Sequence, residues 1–169
     1  MQEQIRIAEY DPPWPTQFDE ITGRLIAAFG HVADRIEHVG STSVEGLAKP
    51  IIDLDVVIAS RTLLPEAIER LQEIGYRHEG DKGIPGRESF AINASPPHHL
   101  YVCAVESREL RRHIAFRDYL RSHSDIAHDY AALKQDLVRR YGGDIDAYTN
   151  GKSSFIERVL EQAGATKFE

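Results

Sequence analysis

The spacing of apolar residues along this chain alternates between two periods. Phe18, Ile21, Leu25 and Phe29 recur at helical spacing and predict a helix after the turn signal Asp11-Pro12-Pro13-Trp14-Pro15. A short extended segment, Ile5 to Tyr10, precedes that turn. Arg35 to Val39 reads as a short strand, and Ile51 to Ala59, rich in β-branched side chains, as a longer one buried on at least one face. The helical period returns with Leu64, Ala67, Ile68, Leu71 and Ile74, opened by Pro65 and stopped by Gly75. Tyr76 to Glu79, Glu88 to Asn93 and His99 to Ala104 then read as strands, divided by the glycine-rich Gly80 to Gly86 and by Ser95-Pro96-Pro97. From Glu109 onward the pattern is helical. Leu110, Ile114 and Phe116 mark one helix, Ile126, Tyr130, Leu133, Leu137 and Tyr141 a second with Ser124 as its expected N-cap, and Phe155, Ile156, Val159 and Leu160 a last.

These elements predict an α/β (α+β) protein: a mixed β-sheet of four or five strands flanked by helices, with a helical C-terminal half. A length of 169 residues at 41% hydrophobic composition supports one core rather than two, so residues 1–169 are expected to form a single domain, sheet-containing to about residue 106 and helical from about residue 107. Asp53 and Asp55 interrupt the longest apolar run, which stays far below the roughly 20 residues of a membrane span. The first residues lack the basic start and apolar stretch of a secretion signal, and the single Cys103 excludes an internal disulfide framework; a cytoplasmic setting fits both. A formal charge of −7 argues against broad nucleic-acid binding. Arg108, Arg111, Arg112, Arg117 and Arg121 crowd one stretch, which reads as a solvated helix face or as a local anion site.

The chemistry begins with Asp53 and Asp55. Two positions apart in a strand, they project to the same face with Cα atoms roughly 6–7 Å apart, close enough to share a metal ion. So apolar a strand resists buried carboxylates unless a cation or strong hydrogen bonds compensate them; a wet sheet edge is the alternative. Upstream stands Val39-Gly40-Ser41, where glycine lets backbone approach an anion and serine adds a hydroxyl and an amide donor. The combined pattern is expected by chance in on the order of one chain in several hundred of this length.

The stretch from Ile36-Glu37-His38-Val39-Gly40-Ser41-Thr42-Ser43-Val44 through Gly46-Leu47-Ala48-Lys49-Pro50-Ile51-Ile52-Asp53-Leu54-Asp55 resembles the GrpB-like family of the nucleotidyltransferase superfamily. The resemblance continues in His98-His99-Leu100-Tyr101-Val102, in Phe116-Arg117-Asp118-Tyr119-Leu120-Arg121 and in Tyr148, Lys152 and Phe155-Ile156, spanning nearly the whole chain. It departs at Glu45, where proline is usual, and in the segment Gly46 to Pro50, one residue shorter than expected.

What the resemblance implies is a metal-dependent nucleotidyltransferase fold acting on a nucleotide and a small-molecule acceptor, with a divalent metal, Mg²⁺ or Mn²⁺, on Asp53 and Asp55. Gly40, Ser41, Thr42 and Lys49 would hold phosphate, with Arg117 and Lys152 as cations from the helical half and Arg112 as a further one. Active members generally add a third acidic residue on a neighbouring strand, and His98 to Ala104 contains none. His99 is the substitute, as metal ligand or base, ahead of His98, whose side chain leaves the other face; a simply hydrogen-bonded strand histidine is the competing account. His38 reads as a cleft residue or a packed strand histidine, and Tyr148 as a packing partner of Lys152 or a stacking platform. The alternative function is a non-catalytic module binding a nucleotide or a coenzyme A precursor, since a related module is fused to dephospho-coenzyme A kinase in some bacteria. A homo-oligomer is compatible with these features.

Overall fold

The computed structural model describes residues 5–46 and 48–166. Its elements follow the two periods. Helix α1 (Pro13–Phe29) leads to β1 (Ala33–Val39) and β2 (Ile52–Ile58), α2 (Leu64–Glu73) to β3 (Arg77–Gly80), β4 (Arg87–Ala91) and β5 (His98–Ala104), and α3 (Arg108–Ser122), α4 (Ser124–Tyr141) and α5 (Ile145–Gln162) complete the chain. The strands form one five-stranded sheet in the order β1-β2-β5-β4-β3. Only β2 and β5 run parallel; β1 with β2, β5 with β4 and β4 with β3 are antiparallel, so the sheet is mixed as expected.

Several boundaries differ from expectation. The prolines expected in a turn open α1 instead, because their fixed φ suits the first helical turn, where no amide partner is lost. Ser124 lies inside α4 rather than capping it; the capping side chains of this half are Ser107 on α3 and Asp144 on α5, which accept from Leu110 and Ala147 amides. The segment expected to be extended makes one isolated antiparallel bridge, Ala8 with Ala48, and anchors at Ile5, whose amide donates to the Gly142 carbonyl at 3.0 Å.

Alternation along the central strands sends their side chains to two different layers. Ile52, Leu54, Val56 and Ile58 of β2 join Leu100 and Val102 of β5 against Trp14, Ile21, Leu25 and Phe29 of α1 and Leu71 of α2. On the opposite face Val57 and Cys103 meet Leu110 and Ile114 of α3. Beyond the sheet, α3, α4 and α5 share a second core of Leu120, Tyr130, Phe155 and Val159, which Val44 joins from the loop after β1. Asp53 and Asp55 point to the α3 face, so the three C-terminal helices roof the carboxylates and leave a cleft between roof and sheet.

Candidate active site

Parallel pairing of β2 with β5 sets Asp53 opposite His99 and Asp55 opposite Tyr101, and antiparallel pairing with β1 sets Val39 opposite Asp53 and Glu37 opposite Asp55. The two aspartates do not share one environment. Asp53 is half-buried at the strand's entry and receives His99 Nδ1 at 2.9 Å from its Oδ1. Asp55 is fully buried. Its Oδ2 lies 2.7 Å from Nδ1 of His113 on α3, while its Oδ1 has no hydrogen-bond partner. Burial alone would depress the His113 pKa, but the charge and hydrogen bond of Asp55 outweigh it and hold the imidazole above its ordinary value. His113 escaped the sequence reading. Only its helical position before Phe116-Arg117 signals that α3 crosses the aspartates, and no local motif marks it.

β1 ends at Val39, and the chain turns sharply on Gly40, at φ 71°. The turn needs glycine on two counts. The backbone sits in left-handed space, and a Cβ there would stand 2.2 Å from Asp53 Oδ2. Ser43 then fastens a short helical turn, Ser41–Ser43, by donating from its hydroxyl to the Gly40 carbonyl at 2.6 Å. Ser41 stands at the cleft, whereas Thr42 is buried and its hydroxyl lies 2.9 Å from His38 Nε2.

The cleft encloses about 330 Å³. Gly40, Ser41 and Asp53 line it from the turn and β2, Tyr101 from β5, Arg87 from β4, and His113 and Lys134 from the helices above. Lys134 is buried against the Tyr130 ring, and burial together with Lys152 lowers its pKa to about 8. Lys152 is depressed by burial as well; Asp53 acts against that and Lys49 with it. Lys152 thus lies within electrostatic reach of Asp53, Lys49 and Lys134, and like charges brought together in a half-buried site favour an anion between them. Tyr148 is buried, with Lys152 Nζ 4.5 Å from its ring centroid.

Other residues singled out from the sequence are held by packing, hydrogen bonds or ion pairs within the protein. His38 shares the α1 face with Leu54 and stacks on Phe18 at 4.7 Å, and burial pushes its pKa down to about 4. His98 lies on that same face, with Nε2 2.6 Å from the Tyr76 hydroxyl and Nδ1 2.7 Å from the Pro96 carbonyl. Arg117 is tied down: it donates to Glu37 at 2.7 Å, to the His38 carbonyl at 3.1 Å and to Asp118 at 2.7 Å. Arg112 lines the cleft but is ion-paired with Glu157 and lies 3.6 Å from Glu109. Arg121 donates to the Ser43 carbonyl at 2.8 Å. The arginine cluster of α3 is thus no simple solvated face; much of it clamps the helix to the sheet and to the Ser41–Ser43 turn.

The GrpB protein family model matches residues 4–162, a range that includes the Gly40-Ser41 turn, the Asp-x-Asp strand and the three C-terminal helices. The chain belongs to the GrpB family. It is 35% identical over 94% of its length to UPF0157 protein YqkA of Bacillus subtilis, of which it spans about half, 47%. A Mycolicibacterium paratuberculosis dephospho-CoA kinase matches 94% of the chain at 29% identity, and again the match takes up 46% of the longer protein. Among solved structures, the conserved protein GrpB from Enterococcus faecalis superposes over 97% of this chain and 100% of its own, at a TM-score of 0.85 and 32% identity. The Cid1 poly(U) polymerase, bound to MgGTP, aligns with 79% of this GrpB chain and 45% of its own, at a TM-score of 0.57 and 11% identity, which establishes a shared nucleotidyltransferase-like fold. Among the described residues, no helix is long and apolar enough to cross a membrane.

Proposed function

We propose that this GrpB protein is a metal-dependent nucleotidyltransferase that moves a nucleotidyl group from a nucleoside triphosphate to a small-molecule acceptor in the cytoplasm. One observation carries the reading: a fully buried Asp55 keeps an oxygen without a partner, two positions along β2 from Asp53, which lines the cleft. Such an oxygen is costly unless a cation meets it. Among the described residues, no group of three or more His, Cys, Asp and Glu side chains could hold a metal ion by itself. Mg²⁺ or Mn²⁺ is commonly held by one or two carboxylates together with waters and substrate phosphates. Asp53 and Asp55 would hold the ion, with His99 as a base at the exposed side of Asp53. When bound, a divalent ion supplies charge that polarises the phosphate and lowers the pKa of an attacking hydroxyl.

The chain's own residues supply the rest. Gly40 lets backbone pass against Asp53, and the amides of Gly40 and Ser41 with the Ser41 hydroxyl would hold the terminal phosphates. Lys49, Lys134 and Lys152 would neutralise them. The acceptor hydroxyl oxygen then bonds to the α-phosphorus as the bond to pyrophosphate breaks. Purified protein supplied with Mg²⁺ or Mn²⁺, a nucleoside triphosphate and a panel of acceptors should release pyrophosphate, and the Asp53→Ala, Asp55→Ala double variant should not. No release across the panel would overturn catalysis.

A second reading rests on one specific observation: on β5, His99 and Tyr101 stand where a third carboxylate would face the pair. The same pocket would then bind a nucleotide or a coenzyme A precursor without turnover, a role compatible with the dephospho-CoA kinase relative. Tight binding by calorimetry with no pyrophosphate release would select it.

A further inference from the structure

We infer that the β4 side of the cleft, where Arg87 stands, is an anion subsite that takes a carboxylate or phosphate group of the acceptor molecule. This rests on the nucleotidyl-transfer reading and names its acceptor class. Across the sheet, Asp55 of β2 faces Tyr101 of β5, and Tyr101 faces Ser89 of β4, two positions from Arg87 on the same face. Carboxylate, aromatic ring and guanidinium therefore form a row. The guanidinium carbon of Arg87 lies over the Tyr101 ring, 4.3 Å from its centroid, within cation–π range. Its Nε is buried and makes no hydrogen bond. Among the described residues, no carboxylate forms an ion pair with Arg87, although it lines the cleft.

The contrast with the other cleft arginine decides the assignment. Arg112 has Glu157 and Glu109 beside it, so its charge is already answered. Among the described residues, Arg87 has the Tyr101 ring beside it and no ion pair. A guanidinium held over a ring, with its Nε unpaired, is available to an oxyanion, and a carboxylate or phosphate accepts two parallel hydrogen bonds from such a fork. Its place also fits. Lys134 lines the cleft from α4, whereas Arg87 lines it from β4, the strand beyond Tyr101 in the sheet order. A nucleoside triphosphate held by Ser41 and Lys134 leaves the β4 side to the acceptor, and an acceptor anchored there by an anion would bring a hydroxyl back toward the aspartates.

The test follows the Arg87 Nε–Hε resonance in full-length isotope-labelled protein, identified by its loss in Arg87→Lys, during titrations with inorganic phosphate and with malonate. A buried Nε–Hε exchanges slowly enough to observe, and it reports on this corner even when phosphate also occupies the lysine side. Saturable movement with phosphate alone identifies a phosphorylated acceptor, and movement with malonate alone a carboxylate one; either supports the subsite. In calorimetry Arg87→Lys should then weaken that anion about tenfold or more, through loss of the two-pronged contact. Should neither anion shift the resonance beyond what sodium chloride does, or should Arg87→Gln, folded by circular dichroism, bind both as tightly as wild type, the subsite is refuted. Failure of the parent reading looks different: the Arg87 resonance moves, yet the protein neither binds nor turns over any nucleoside triphosphate.

Discussion

Gly40 lies so close over Asp53 that a single added methyl would stand 2.2 Å from the Asp53 Oδ2. The turn after β1 and the first carboxylate of β2 are therefore one unit, and the eleven residues between Ser41 and Asp53 in sequence close a loop onto it. Gly40→Ala would meet both a left-handed backbone, at φ 71°, and that clash. We expect it to destabilise the fold by about 1–3 kcal/mol in urea denaturation. It should also abolish any stabilisation by Mg²⁺, because Asp53 must swing away. An alanine variant that melts like wild type and keeps its metal response would show that the turn and Asp53 are independent.

Asp55 offers the opposite balance of stability and function. Replacing it by asparagine removes a buried charge but keeps a hydrogen-bond acceptor for His113. In EDTA, Asp55→Asn removes the charge on the unpartnered oxygen but also the counter-charge of His113, so the two effects should offset and the melting temperature should stay close to wild type. With Mg²⁺ and a nucleotide, wild type should gain stability as a ligand-binding native state does, and the variant should not. Equal gains in both proteins would remove Asp55 from the metal site.

How much of this was legible in advance follows from how local each signal is. β2 could be read directly, because β-branched residues with aspartates at alternate positions specify both strand and face, and Gly40-Ser41 carried its own turn chemistry. The register that sets His99 against Asp53 was reachable too, since the strand-forming stretch is short. His113 and Arg87 were not. Each reaches the cleft only because a helix or an antiparallel strand distant in sequence crosses the carboxylates, and a lone histidine or arginine in a polar stretch leaves no periodic trace. The capping of α4 failed for a related reason, as Ser107 and Asp144 serve the neighbouring helices while α3 runs into α4 with only His123 between them.

His38 predicts a pH dependence away from the carboxylates. Burial pushes its pKa down to about 4 from an ordinary 6.5, with Arg121 and Arg117 adding to the shift and Asp53 and Asp19 opposing it. Between those values the unfolded chain binds a proton that the folded chain refuses. Stability is therefore highest above pH 6.5 and is lost as the pH falls toward 4. Urea midpoints measured across that window should fall less steeply in His38→Gln than in wild type. Parallel slopes would mean that other groups carry the acid sensitivity.

The last prediction separates clamping from ligand binding on the helical half. Arg117 is mostly buried, and its guanidinium joins α3 to β1 through Glu37 and the His38 carbonyl. Lys152 makes its ring contact on its own helix, with Tyr148, and feels Asp53 across the cleft. Arg117→Ala leaves a half-buried Glu37 with Arg35 as its remaining cation, so it should cost about 2 kcal/mol of stability, as lost charge-assisted bonds do. Its effect on nucleotide affinity should be small. Lys152→Met removes a charge whose burial already lowers its pKa, so the ligand-free protein should be no less stable. The phosphates, however, lose a cation, and nucleotide affinity should drop about tenfold. Denaturation and calorimetry on the two variants should therefore give opposite patterns. If Arg117→Ala instead loses affinity at unchanged stability, the guanidinium releases Glu37 to reach the ligand, and β1 is held by something other than this clamp.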